Sequence, residues 1–515
     1  MIHTAKHGLG AVVVVSLCTI GALLFFVRQS SAAPASLLFT VTSITDAVDD
    51  NPGNGVCHTS AGVCTLRAAI MEADLANSAV TIDVPKGTYL LTIPPVVPTD
   101  TVTSGDLNLT PPSAGNPIIT INGAGMNSTI VDGNQLDRIF NISAGRSVVI
   151  NNLTIRNGSV PTYQNGGGLA NEGEVVLNAV HVFNNSAGGG LGGGGIYNDH
   201  LMTINNSLID GNVTPGTYGG GIANDFGGSL RIDNSVIANN RAPDGLGGGI
   251  RDKSGQAVSV ILTNTAVYSN YAFGGGGLSR DWNSGGPMLI YNSAIYSNTA
   301  WGWYGGGIDV GFSVGGDLHV VNSTISGNTA HRDGGGIVIE SNNSHIGLYN
   351  DTIAYNSAGD TSSYLGKGGG IASLGTAVIT SEYTLMAWNT DVVTVTLFNN
   401  IVITITEGNE CSASFGFERD DIMAQYNTER CHPTSLVYHG DPKIGPLRNN
   451  GGATWTHALL KGSQAIDRGL YCVDDRGYPL FTDQRGWWRF TDTLCDVGAY
   501  EYPDNWIYLP LTVRS

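Results

Sequence analysis

Gly219-Gly220-Gly221-Ile222 and Asn234-Ser235-Val236-Ile237-Ala238-Asn239-Asn240 decide the fold, because both patterns return along the chain at a steady interval. The glycine run ends on Leu169, Ile196, Ile222, Ile250, Leu278, Ile308, Ile337 and Ile371. The second pattern, Asn-x-x-aliphatic-x-x-Asn, opens on Asn178, Asn206, Asn234, Asn264, Asn292, Asn322 and Asn350. It closes six residues later on Asn184, Asn212, Asn240, Asn270, Asn298, Asn328 and Asn356. Successive openings lie 28, 28, 30, 28, 30 and 28 residues apart, a beat that composition alone does not produce.

Segments between the marks, such as Leu201-Met202-Thr203-Ile204 and Leu318-His319-Val320-Val321, are short and β-rich, and glycine triplets would break any helix. One coil of about 28 residues holds three short strands and three turns, stacked on the next coil at about 4.8 Å. These features predict an all-β, single-stranded right-handed parallel β-helix. Equivalent residues then stack, and Ile209, Ile237, Val267, Ile295, Ile325 and Ile353 are expected to form an interior column, with His181 as its exception. The closing asparagines are expected to form a structural ladder, each amide bonding the next coil and pairing buried turn groups. The glycines supply φ > 0 and close approach. They are no phosphate loop, since no Gly-Lys-Ser/Thr follows them.

Of 515 residues, 72 are glycine and only 13% are charged, which suits one repetitive architecture better than several compact domains. The apolar run from Leu9 to Val27, preceded by Lys6 and followed by Arg28 and Ala33-Pro34-Ala35, reads as a signal peptide or an uncleaved membrane anchor. The expected divisions are a leader over 1–35, an N-terminal cap over 36–100, repeats over 101–398, a C-terminal region over 399–502 and an apolar tail over 503–515. Removing the leader leaves six cysteines in three neighbouring couples, Cys57 with Cys64, Cys411 with Cys431 and Cys472 with Cys495. In an exported chain these read as disulfides rather than metal ligands, because no C-x-x-C spacing is present. The leader holds two bases and no acid, so 22 bases face 42 acids in the remainder. That surface excludes nucleic acid as a partner.

Cys64-Thr65-Leu66-Arg67-Ala68-Ala69-Ile70-Met71-Glu72-Ala73 resembles the CSLREA domain, a short extracellular module that precedes β-helices, with Ala68 where that family has glutamate. Leu66, Ala69, Ile70 and Ala73 make one apolar helical face suited to capping the open solenoid. Upstream, Asp46, Asp49, Asp50 and Asn51 read first as a solvated acidic turn, with calcium as the alternative. Asn399 to Tyr502 resembles the choice-of-anchor Q domain that closes such β-helices. The resemblance is carried by Gly445-Pro446-Leu447, Asn450-Gly451-Gly452, Thr456-His457, Ala465-Ile466-Asp467, Asp483-Gln484-Arg485-Gly486 and Asp496-Val497-Gly498-Ala499-Tyr500-Glu501, with Gln464 replacing a proline. With the repeats, similar to pectin-lyase-like β-helices and polymorphic outer-membrane-type repeats, the resemblance implies a fold and a secreted or cell-surface location. It implies no reaction.

Pectin-lyase-like folds host polysaccharide lyases and hydrolases. Fragments of a polygalacturonase pattern occur here as Asn389-Thr390-Asp391, Asp420-Asp421, His439-Gly440 and Arg251-x-Lys253, but scattered and out of order. Asp483, Arg485, Asp496 and Glu501 read as a buried ion-pair network rather than an acid/base set. No catalytic residue is assigned. The loops between each closing asparagine and the next glycine triplet carry Tyr163, Tyr218, Tyr271, Phe273, Trp301, Trp303, Tyr304 and Tyr364. Stacked along one edge, Tyr218, Tyr271, Phe273, Trp301, Trp303 and Tyr304 offer a surface for an extracellular glycan or a surface protein. The expected function is binding, adhesion or surface display, with a polysaccharide lyase or glycoside hydrolase as the alternative.

Overall fold

The computed structural model describes residues 36–96, 101–113, 115–161, 163–216, 218–257, 259–281, 285–311, 317–341, 344–359, 368–374, 378–391, 416–419, 421–423, 437–439, 442–469, 472–489 and 494–503. One coil shows the plan: Ile222–Asn224, Ser229–Asp233, Val236–Ala238 and Arg241–Leu246 each pair in parallel with the coil before or after. Among the described residues the coils build a first and a second sheet of 13 strands, a third of 10 and a fourth of 6. The first sheet takes the Ser229–Asp233 segment, the second Val236–Ala238, the third Ile222–Asn224 and the fourth Arg241–Leu246. The fourth sheet is more than the three-strand coil predicts. This is a right-handed parallel β-helix, the hand that right-twisted parallel strands favour.

Period-two alternation sends every second side chain inward. On the third sheet Leu169, Ile196, Ile222, Ile250, Leu278, Ile308, Ile337 and Ile371 stand in register, all buried. On the second sheet the column runs Val182, Ile209, Ile237, Val267, Ile295, Ile325 and Ile353 without a break. His181 is not in it: it pairs with Leu208, faces outward, and lies 3.9 Å from Asp210.

The same one-residue slip corrects the ladder. Asn178 pairs with Asn205, not Asn206, so the turn position of Asn206 is held in the first coil by Ala179, and the ladder position by Asn185. Asn184 is exposed and donates to Asn157. The ladder runs from Asn185 through Asn212, Asn240, Asn270, Asn298, Asn328 and Asn356 to Asn389, with amide-to-amide distances of 2.9–3.0 Å. Each interior member accepts twice at Oδ1, from the preceding asparagine's backbone N–H and amide, and donates its second N–H to a strand carbonyl. All four bonds of a buried carboxamide are thereby made. Asn389, part of one polygalacturonase-like fragment, is thus the last rung of the ladder among the described residues.

The opening asparagines do different work. Asn206, Asn234, Asn264, Asn292, Asn322 and Asn350 take positive φ at the turn between the first and second sheets. The residue after each, Ser207, Ser235, Thr265, Ser293, Ser323 or Asp351, accepts the N–H of its counterpart one coil back and forms a second ladder. The glycine triplet closes the coil for steric reasons. A Cβ on Gly305, at φ 67°, would stand 2.7 Å from the Asp309 Cβ, and one on Gly307 would stand 3.0 Å from the Asn328 amide.

Leu66–Leu75 is the one α-helix among the described residues, N-capped by Thr65, whose hydroxyl accepts from the Ala68 N–H. Its apolar face covers the end of the core, but its polar residues are buried too. Arg67 bonds Asp46 at 2.6 Å and the carbonyls of Val102, Gly105 and Asp106. Asp46 also accepts from the Thr92 and Ile93 N–H groups, and Asp49 from those of Asn51 and His58. The supposed solvated turn is therefore the brace of the cap, at least at Asp46 and Asp49. The Cys57–Cys64 disulfide closes this loop, and Cys472–Cys495 closes one in the C-terminal segment. Cys411 and Cys431 lie outside the described residues, as do the leader and the tail after Pro503.

The C-terminal segment does more than close the end. Residues 442–503 run back along the flank: Thr454 bonds the Asn292 carbonyl, Gln484 bonds Thr324 and the Ser293 carbonyl, and His457 bonds Ser326. Its own interior is ionic. Arg485 pairs with Asp483 at 2.6 Å and stacks over Tyr500, while the fully buried Arg489 pairs with Glu501 at 3.2 Å and bonds Asn322 of the solenoid at 2.6 Å.

Candidate functional site

The fourth sheet is short, so the chain leaves it in loops of differing composition before the glycine triplet turns it into the third sheet. Two successive loops bring aromatics together. Phe273 meets Trp301 edge-on at 5.1 Å and Trp303 at 4.9 Å, and Trp303 stacks on Tyr304 at 6.5 Å. Trp301 Nε1 donates to the Pro243 carbonyl, which fixes that indole across two coils. Trp301 and Trp303 remain 42% and 44% exposed.

The remaining aromatics do not extend the stripe. Tyr271 lies under the Arg241 guanidinium at 4.7 Å, and Tyr218 is covered by Arg251 at 4.1 Å. Tyr163 is 87% exposed, and Tyr364 lies outside the described residues. The edge expected from the sequence is therefore a four-ring cluster with two tyrosines engaged by arginines.

Arg251 leads to a feature the sequence reading missed. It belongs to the outward column of the third sheet, Ala223, Arg251, Ser279, Asp309 and Val338, all of which are buried beneath the flanking loops. Its guanidinium bonds Asp281 at 2.6 Å and Asp225 at 3.4 Å, so the arginine of the Arg-x-Lys fragment is an ion-pair anchor, while Lys253 lies over the Phe226 ring. Two coils on, burial and the neighbouring Glu340 push the Asp309 carboxyl well above its ordinary range, and burial raises Glu340 to about 7. The signal was available: aligning the glycine triplets places Arg251, Ser279 and Asp309 at one position, where neighbouring coils carry apolar residues.

A third location is a cavity of about 270 Å³ between the outer face of the first sheet and the C-terminal segment. Arg231, Ile261, Thr263, Leu289 and Tyr291 line one side, and Asp474, Asp475 and Arg476 the other. The Tyr291 hydroxyl reaches Asp475 at 3.4 Å, and His319 Nδ1 lies 3.1 Å from the same carboxylate, holding its pKa below the ordinary value.

Buried acids give the fold a definite pH response. Burial raises Asp74, Glu340 and Asp496 to about 7 and Glu501 to about 9. An acid with a raised folded pKa contributes stability that is full below about pH 4 and falls as pH rises through the folded value. His457 acts oppositely: burial lowers it to about 4, so its contribution is full above about 6.5 and falls toward 4. Burial also raises Asp225, Asp252 and Asp309 and lowers His181, so among the described residues seven such acids stand against two histidines, and the thermal midpoint should be higher at pH 5.5 than at pH 8.5. A midpoint rising across that interval would contradict these assignments.

No family model and no curated protein matches the chain. Solved structures similar to it include the pectate lyase Pel9A, at 13% identity over 91% of this chain and 97% of that one, with a TM-score of 0.42. ORF18 of Geobacillus virus E2 shares 11% identity over 60% and 55%, with a TM-score of 0.32. A mannuronic acid specific polysaccharide family 6 lyase from human gut microbiota shares 9% over 63% and 84%, with a TM-score of 0.28. At these identities and scores none of them speaks to this chain's chemistry. By its own strand register, the chain has the right-handed parallel β-helix fold.

Proposed function

We propose that this protein is an extracellular β-helix that binds a polysaccharide on the edge formed by Phe273, Trp301, Trp303 and Tyr304. The carrying observation is that Trp301 and Trp303, each more than two-fifths exposed, are held on one edge by packing against Phe273. Indole faces stack on the apolar faces of sugar rings at little entropic cost when the rings are already fixed. Two disulfides fit an oxidising compartment, in keeping with the leader and the CSLREA-like and choice-of-anchor-like segments. Trp301→Ala with Trp303→Ala should weaken polysaccharide retention in affinity electrophoresis at least tenfold, with the thermal midpoint little changed. Unchanged retention would remove the edge as the binding site.

One observation favours a second reading, polysaccharide cleavage: Asp309 and Glu340 form a buried carboxyl pair, and Asp309 lies in the same coil as Trp303. Reducing ends or unsaturated products from a panel of plant and bacterial polysaccharides, lost in Asp309→Asn, would establish it. A panel without product would leave binding alone.

A further inference from the structure

The cavity on the first sheet has a different chemistry from the aromatic edge. Its two carboxylates are already engaged. Asp474 accepts the Arg476 and Tyr478 N–H groups that close its turn, and Asp475 takes Tyr291 and His319. Arg231 and Arg476 line the same space and are exposed; no hydrogen bond or salt bridge joins either guanidinium to a described residue, although the charge of Arg476 acts on Asp475 and Tyr291. Ile261 and Leu289 supply apolar wall, and Tyr291 a hydroxyl that burial keeps protonated, its pKa raised to about 12. At about 270 Å³ the space holds one sugar ring, just below the usual range of ligand pockets.

We propose that this cavity is a binding site for one oxyanion-bearing sugar residue, its carboxylate or sulfate ester lying between Arg231 and Arg476 and its ring against Ile261 and Leu289. Guanidinium groups pair with carboxylates and sulfate-like anions through parallel N–H donors, which gives geometry as well as charge recognition. The site needs both the solenoid and the C-terminal segment, since each contributes one arginine. It is independent of the aromatic edge, which follows the fourth sheet.

The test uses the full chain with glucuronate, glucose 6-sulfate and glucose, followed by saturation-transfer NMR and calorimetry. One or both anionic sugars should bind with a Kd of about 1 mM, and glucose at least tenfold more weakly. The stronger of the two anions identifies carboxylate or sulfate as the natural group. Arg231→Ala and Arg476→Ala should each weaken that binding at least fivefold with the thermal midpoint unchanged, whereas Trp301→Ala should not affect it. Equal binding of glucose, wild-type affinity in both arginine variants, or no binding of either anion would overturn the site.

Discussion

Asn185→Ala should destabilise the protein by about 2–6 kcal/mol, while Asn184→Ala, one residue away, should cost about 1–2 kcal/mol. Asn185 lies inside the wall and Asn184 outside it, where a φ of 53° also strains an alanine. Asn185 is fully buried; its Oδ1 accepts the Gly158 N–H and its amide serves Asn212 and the Ile155 carbonyl. Alanine there orphans a buried donor and a buried acceptor, each worth about 1–3 kcal/mol. Asn184 loses one bond, to Asn157, in a place where water replaces it. Urea denaturation read by far-ultraviolet circular dichroism would measure both. In a solenoid the loss is expected to be local first, so amide exchange should quicken in the coils around 155–212 before the whole chain opens. Equal costs for the two variants would mean that the ladder contributes no stability.

Arg489→Ala should release the C-terminal segment from the flank at a cost of about 3–5 kcal/mol. The guanidinium sits at the centre of a buried net: Glu501 Oε2 and the Asp496 carbonyl on one nitrogen, Asn322 Oδ1 and the Gly498 carbonyl on another, and the Thr482 carbonyl on Nε. Without it Asn322 Oδ1 and the Gly498 and Asp496 carbonyls lose the guanidinium donor, Glu501 Oε2 keeps only the Asp496 N–H and the Thr482 carbonyl only the Asn322 amide, and Glu501 and Asp496 lose the cation that opposes their desolvation. Trp455, Trp487 and Trp488 stand on this segment, so their emission reports its release. The solenoid keeps its own ladders, and far-ultraviolet dichroism should change far less than the fluorescence. Simultaneous loss of both signals would show that segment and solenoid unfold as one unit.

Much of this architecture is legible in the residues because the coil obeys a repeating steric demand. The triplet before Ile308 is glycine where a side chain would strike Asp309 or the ladder, and Ile295 and Ile325 are aliphatic because they stack on one another. The first coil misled the count because Asn184-Asn185 and Asn205-Asn206 are doublets, and a one-residue slip exchanges inside for outside. Strand pairing resolves what spacing leaves ambiguous. The aromatic edge was half legible: the loops were located, but Tyr218 and Tyr271 are drawn to Arg251 and Arg241 rather than into line with Trp301. The charged column at Arg251 and Asp309, and the path of 442–503 along the flank, follow from packing of irregular segments, for which periodicity gives no signal.

Equivalent residues of successive coils stand in one line along the axis. Leu38, Thr81, Thr120, Val149, Val176, Thr203 and Arg231 form such a line on the outer face of the first sheet. Spin labels at Arg231 paired with Thr120, Thr81 or Leu38 should report separations near about 19, 24 and 29 Å, rising by about 4.8 Å per coil. Separations that fail to rise along that series would contradict the stacked register and every site placed on it.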